Sequence, residues 1–553
     1  MTTDRSSSRP ARGVAYPGAL RLAAACAAVL LPLAGGAVAY AKPGTAVASD
    51  RPAPPTALWG LEAYPGTTQV QALADRNAAP SDTPLTASGV SWQGDARLLG
   101  AQTVAFDGAS SYLSASPSAL NTAGTFSLAA WVRLTDTSVS RVFASKASSG
   151  QATLSAGYDS ETNRWLVLMP SKTGKGARWS AARSVSVPQV GLWAHLAVVH
   201  DASAHTLTLR VNGVAEATVG NVTAVDDPTG QVRLGRGDTT WWQGNLADAR
   251  VYDRALVDQD FTGWLASDPG SGGFDEPGLL RPVQVGRWAF ELATPCYEEN
   301  LDPSLCYAGD ASVFGRRLAL TKGADVTAGQ RGNALALDDT HWIEDPTDPH
   351  YGEATQEYGR TQSDVLDPET FAGQDVPVLR TDQSFTLSTW VRLDPTRGAQ
   401  TVLSQDAVDR SVLRLSYEPA DGGRWEFGML ATATADESTA TYATAPAARP
   451  DQWHHLVAVL DATHREARLY VDGTLAEAVG LNPAWQPYQA TGPLLVGRST
   501  TLAGPAGWLY GQVDDLGLYQ GALSAAEVQR LFDAEAVRPV PLPSDGRWPG
   551  PAR

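Results

Sequence analysis

Sulfur is scarce in this chain, with three cysteines and three methionines among 553 residues. Lysine is also thin, and basic side chains are outnumbered: 42 Lys and Arg against 59 Asp and Glu, a formal net charge of −17. So acidic a surface repels nucleic-acid phosphates and anionic lipids, which sets both aside as partners, while it favours solubility and leaves room for divalent cations. Long apolar runs are missing: Leu22–Leu33 (LAAACAAVLLPL) is too short, and too closely followed by Gly35 and Gly36, to span a bilayer comfortably. Catalytic signatures are missing too. There is no Gly-x-Ser-x-Gly elbow, no His-Glu-x-x-His and no phosphate-cradling glycine loop. A glycosidase built on strands needs two carboxylates over one groove, about 5–10 Å apart. No Glu-x-Asp-x-Glu run supplies them, and the adjacent Glu298 and Glu299 would point to opposite faces of a strand.

What is present begins with an export signal. Arg5, Arg9, Arg12 and Arg21, opposed only by Asp4, precede the apolar run, and Ala39-Tyr40-Ala41 supplies small residues for cleavage. Residues 1–41 are therefore expected to be a signal peptide and the mature chain to be secreted, with a retained membrane anchor as the alternative. Cys26 leaves with that segment. Cys296 and Cys306 remain, and in an oxidising compartment a loop-closing disulfide is the natural reading, worth about 2–3 kcal/mol in the chain-entropy model. The alternative, half of a metal site, lacks a nearby His or further Cys.

The remainder is written twice. Phe126–Leu134 (FSLAAWVRL) returns as Phe385–Leu393 (FTLSTWVRL), and Leu192–Asp201 (LWAHLAVVHD) as Gln452–Asp461 (QWHHLVAVLD). Leu209–Gly213 (LRVNG) returns as Leu469–Gly473 (LYVDG), Gly235-Arg236 as Gly497-Arg498, and Gly244–Asp248 (GNLAD) as Gly511–Asp515 (GQVDD). Order and spacing are kept. Apolar residues alternate in the blocks with period two, and Asn212-Gly213 and Asp472-Gly473 are two-residue hairpin signals. With 52 Gly, 36 Pro and 17 Trp, and no alternation of strands with helices, the fold expected is all-β: two tandem antiparallel sandwiches, each closed by one short helix. Ser524, with Glu527 three residues on, marks the start of the second helix. The first sandwich is drawn over 57–267, a Gly/Pro linker over 268–283, the second sandwich over 284–535, and a Pro-rich tail over 536–553.

The ordered set Phe106-Asp107-Gly108, Phe126–Val132, Trp193-x-His195-Leu, Val211-Asn-Gly, Gly235-Arg236 and Gly244-x-x-x-Asp248 with Val251–Leu256 resembles the laminin-G-like, concanavalin A-type jelly-roll family, once per half. The resemblance implies a curved two-sheet sandwich with a binding or scaffolding role, often toward carbohydrate and sometimes with calcium. Fold alone does not give function, because enzymes share it. If the first and last strands of each sandwich are neighbours, Asp107 with Asp248, and Asp338 with Asp515, become candidate calcium pairs, backbone carbonyls and water completing the shell; the alternative is that each aspartate orders a turn. Trp241 and Trp242, beside a Gly- and Thr-rich loop, are the candidate platform for stacking a sugar, against ordinary packing.

His195 and His455 recur beside a repeated tryptophan with no recurring acid, which reads as structural rather than catalytic. The insertion between Asp338 and Phe385, where acids and aromatics interleave around 343–380, is either a functional loop or a solvated one. The reading favoured is a secreted, non-catalytic binding protein for polysaccharide or an extracellular or cell-surface protein. A structural component of an extracellular assembly comes next, and a glycan hydrolase or lyase last.

Overall fold

A computed structural model describes residues 53–63, 83–148, 150–262, 280, 282–294, 296, 306–321, 323–338, 347, 356–366 and 373–536. The expected export signal, nearly all of the linker, the tail beyond residue 536 and the heart of the acidic insertion lie outside these residues. No helix among the described residues is long and apolar enough to cross a membrane.

The chain forms two antiparallel sandwiches, as the repeat predicts. In the first half one sheet runs, in spatial order, Val214–Val219, Thr206–Val211, Trp193–Asp201, Phe126–Leu134, Gln243–Tyr252, Gln102–Asp107 and Glu62–Ala63. The facing sheet runs Trp179–Arg183, Arg164–Pro170, Leu154–Asp159, Arg141–Ala147, Gln231–Leu234, Tyr112–Ala115 and Thr86–Ser88. The second half repeats the plan: Gly511–Gln520, Phe385–Leu393, His454–Asp461, Glu466–Val471 and Thr474–Gly480 lie side by side in the same order as their counterparts. Period-two alternation explains why sandwiches form. Phe126, Leu128, Ala130, Val132 and Leu134 fill the space between the sheets together with Leu113, Phe143, Val167 and Leu234.

The hairpins are where the dipeptides place them. Asn212 and Gly213 take φ of 49° and 83°, Asp472 and Gly473 φ of 50° and 77°, the left-handed pair that a two-residue turn requires. Each polar side chain also ties the turn back to the preceding strand. Asn212 Oδ1 accepts from His195 N–H at 2.8 Å, and Asp472 Oδ1 from His455 N–H at 2.9 Å. A buried tryptophan opens each half. Trp59 Nε1 donates to the Thr83 carbonyl at 2.8 Å and Trp288 Nε1 to that of Arg316 at 3.2 Å, so each large ring is buried without stranding its polar atom.

Each half ends in a helix laid on the outer face of one sheet. The first is a single turn, Asp258–Thr262; the second runs Ala525–Glu535 and begins with a full capping box between Ser524 and Glu527. The halves are also joined through their interiors. Ala96, Leu98 and Ala101, from a first-half loop, are buried in the core of the second sandwich, among Val285, Trp288 and Leu318. Two buried arginines of the second half bind that loop: Arg380 Nη1 donates to the Ala96 carbonyl at 2.7 Å and Arg316 Nη2 to that of Leu99 at 2.5 Å. Arg380 is itself held by both carboxylate oxygens of Asp382, at 2.9 and 2.6 Å.

Candidate functional site

The acidic pairs do not converge. Asp107 lies opposite Gln243 in the sheet, and Asp248 is five positions further along that strand, about 16 Å at the usual rise. The Asp107 carboxylate is a turn anchor: it accepts from the N–H groups of Ala109, Ser110 and Ser111 at 2.8–3.0 Å and from both serine hydroxyls. Burial is the largest single influence and opposes ionisation, but the N–H and hydroxyl donors together outweigh it and hold the carboxyl well below the usual carboxylate range. Asp248 sits on a bulge at φ 45° and is clamped by Arg250 at 2.9 Å to each oxygen. Burial again raises its pKa, and Arg250, Arg97 and His195 overcome it, so the net direction is down.

The second half departs in the same way. Leu337 pairs with Gly511, leaving exposed Asp338 at the end of its strand, while Asp515 lies four residues into the neighbouring strand, at φ 43°, bonded to Arg287 at 3.0 Å. Among the described residues no group of three or more His, Cys, Asp or Glu is placed to hold a metal ion. Neither pair is brought together across its strands: Asp107 orders a turn, Asp248 and Asp515 engage arginines, and Asp338 stands exposed just past the end of its strand.

The tryptophan pair splits as well. Trp242 is fully buried between the sheets, T-shaped on Phe143 and stacked on Trp165, and so is core rather than platform. Trp241, on the opposite face of the chain, is half-buried, and its ring meets the Arg236 guanidinium at 4.7 Å; the same guanidinium lies 5.0 Å from Tyr112. This stack is duplicated. Arg498 lies 4.2 Å from Tyr358 and 5.7 Å from Trp508, whose equivalence to Trp241 the repeat gives. Both arginines follow a glycine at positive φ, Gly235 and Gly497, where an added Cβ would strike Phe106 or Leu337 at 2.3 Å. The Gly-Arg repeat is thus a device for bringing a guanidinium between two aromatic rings.

The repeated histidines are closed in. His195 has no exposed surface, edges onto Trp131 and Phe261, and burial drives its pKa down to about 3. His455 is equally buried, against Trp390 and Phe532, with Nε2 2.9 Å from Ser388 Oγ and 3.4 Å from Glu535. The acid that sequence reasoning did not find beside His455 comes from the far end of the covering helix. Serine, histidine and glutamate meet here, but Ser388 and His455 are both sealed beneath the helix.

Cys296 and Cys306 form a disulfide, both ends of it buried in the second core.

A family model described as the Concanavalin A-like lectin/glucanases superfamily matches residues 107–261 and again 370–529. No curated protein matches the chain. Solved structures similar in fold include the binding domain of Paraclostridial Mosquitocidal Protein 1, 12% identical over 45% of this chain and 52% of that one, with a TM-score of 0.31. Another is the binding domain of Botulinum neurotoxin DC in complex with rat synaptotagmin II, 8% identical over 46% and 52%, with a TM-score of 0.32. This chain spans about half the length of those chains. The family match covers more than half of the protein, which belongs to the concanavalin A-like lectin/glucanases superfamily and carries two tandem copies of its laminin-G-like jelly roll.

Proposed function

We propose that the protein is an exported, non-catalytic binding protein whose two sandwiches hold carbohydrate outside the cell. The observation that carries this reading is the duplicated Tyr–Arg–Trp stack: Tyr112, Arg236 and Trp241 in one half, Tyr358, Arg498 and Trp508 in the other. A half-exposed ring held in place by a guanidinium is already ordered, so stacking a pyranose on it costs little side-chain entropy. The polar groups best suited to chemistry support the non-catalytic part. The two histidines are sealed by aromatic rings, Asp248 is engaged by Arg250, and Asp514 has no exposed surface. Export is supported by the basic and apolar N-terminal pattern and by the disulfide.

The test is retention of residues 42–553 on columns of neutral and acidic polysaccharides, with calcium and then with chelator. Retention on at least one polymer is expected, weakened about tenfold by Trp241→Ala or Trp508→Ala and unchanged by chelation, since the aspartates of each pair lie apart along their strands. Retention on none would overturn the carbohydrate reading. A protein partner is the second reading, favoured by the exposed valines Val185, Val187, Val190 and Val214 at one edge of the first half.

A further inference from the structure

Along the seam between the sandwiches runs a cleft that neither half forms alone. Two cavities, of about 250 and about 170 Å³, share walls made by Leu192, Trp193 and Asn212 from the first half and Thr463 and His464 from the second. The cleft is held open by bonds across the seam: Trp193 N–H donates to Gln383 Oε1 at 3.0 Å, and Gln383 Nε2 donates to the Gly191 carbonyl at 3.4 Å. A preformed site of this kind spares a ligand the cost of ordering its walls.

The chemistry of the walls selects the ligand. Each charged group there is already engaged within the protein. Arg97 forks onto Glu62 at 3.3 and 2.9 Å; Asp461 meets His464 Nδ1 at 2.7 Å and Arg468 at 2.9 Å; Glu216 accepts from the N–H groups of Val185 and Ser186 at 2.8 Å. What is left in the walls is mainly apolar surface with uncharged donors and acceptors. Two of those donors lack a partner: the indole N–H groups of Trp193 and Trp131, both wall residues, are buried without a hydrogen bond, and Trp193 is only 6% exposed. A buried N–H without an acceptor is unfavourable, and a ligand hydroxyl relieves it.

We propose that this seam binds a neutral polyhydroxylated ligand, a short stretch of uncharged oligosaccharide, gripped from both halves. The proposal rests on the carbohydrate reading and adds a site distinct from the Trp241 and Trp508 stacks. It is tested by calorimetric titration of the two-sandwich protein with maltohexaose, cellohexaose and xylohexaose, and with hexagalacturonate as the charged probe. One neutral hexasaccharide should bind, and hexagalacturonate should bind more weakly. Thr463→Trp, filling the cleft from an exposed turn, should weaken binding about tenfold, and Thr463→Ser should leave it within about twofold. Val187→Trp closes the opposite wall and guards against a folding defect specific to position 463. Trp193→Phe, which keeps a ring and removes the N–H, should weaken binding severalfold.

If a neutral hexasaccharide binds equally well to both tryptophan variants but not to Trp241→Ala, the seam proposal falls and the carbohydrate reading survives. Preference for hexagalacturonate overturns the proposal, and binding of none of the four probes overturns it together with the retention result.

Discussion

The two halves cover the same stack of rings with different amounts of helix. In the first, one turn delivers Phe261, fully buried, onto His195 with ring centres 5.8 Å apart. In the second, eleven residues deliver Phe532 onto His455 at 5.8 Å and Trp390 at 5.6 Å, and then bury Glu535 beside the same histidine. The longer helix brings carboxylates with it. Asp248 is answered by an arginine on its own strand, whereas Asp515 relies on Arg287 of a neighbouring strand, and burial with the charge of Glu535 pushes its pKa up. Asp514, buried next to it, is pushed up to about 7 by desolvation. A small closing element thus sits over an ion pair that is complete in itself, and a larger one encloses an excess of acid.

The largest expected break in this comparison is Phe261→Ala. Deleting a fully buried ring that is the centre of a one-turn cap should cost about 3–5 kcal/mol, while Phe532→Ala, half-exposed on a longer helix, should cost less. Denaturant unfolding of both variants checks the ranking; equal losses would mean that the helices are interchangeable. Next comes the disulfide, which only the second half has. Cys296→Ser with Cys306→Ser should destabilise that half by about 2–3 kcal/mol, read as faster hydrogen exchange in Phe385–Leu393 with Phe126–Leu134 little changed. Ser524→Ala removes the capping box that the first helix lacks and should cost about 1 kcal/mol by the same unfolding assay.

The last effect is one of sign. Asp514 has a raised pKa, so its favourable contribution is full below the ordinary carboxylate range and is lost as pH rises through about 7. Asp248 has a lowered pKa, so its contribution is present above the ordinary range and is lost on acidification. Between pH 4 and 8, exchange corrected for intrinsic rates should quicken in Gly511–Gln520 and not in Gln243–Tyr252. Parallel changes in the two strands would refute the assignment, and Asp514→Asn should flatten the slope in the second.

The fold was legible because its signals are local. Period-two alternation, the Asn-Gly and Asp-Gly turns and the Ser524 cap each act within a few residues, and duplication made the pattern visible twice. The site was less legible for reasons that are also physical. Trp241 and Trp242 look like one platform in sequence, yet neighbours on a strand face opposite ways, so only one of them is available. The alternation itself was the signal that could have separated them. Simple alternation would put Leu246, Asp248 and Arg250 on one face, but the bulge between Ala247 and Arg250 breaks the count, with Asp248 at φ 45° and paired to Arg250. Reach to calcium depended on register, which no single strand encodes. Nothing local marks Ala96, Leu98 or Gln383 as residues of the seam, because what buries them lies in the other half.

That loop from the first sandwich imposes an order on biosynthesis. A chain emerging from its N-terminus can close the first sandwich before the second exists, leaving Ala96, Leu98 and Ala101 waiting in water. The second sandwich leans on the first more heavily than the first, through Gln383, leans on it. Its core contains three side chains that its own sequence does not supply, and its Arg316 and Arg380 donate to carbonyls made earlier. The half made later is thus completed on a surface that the half made earlier already holds out.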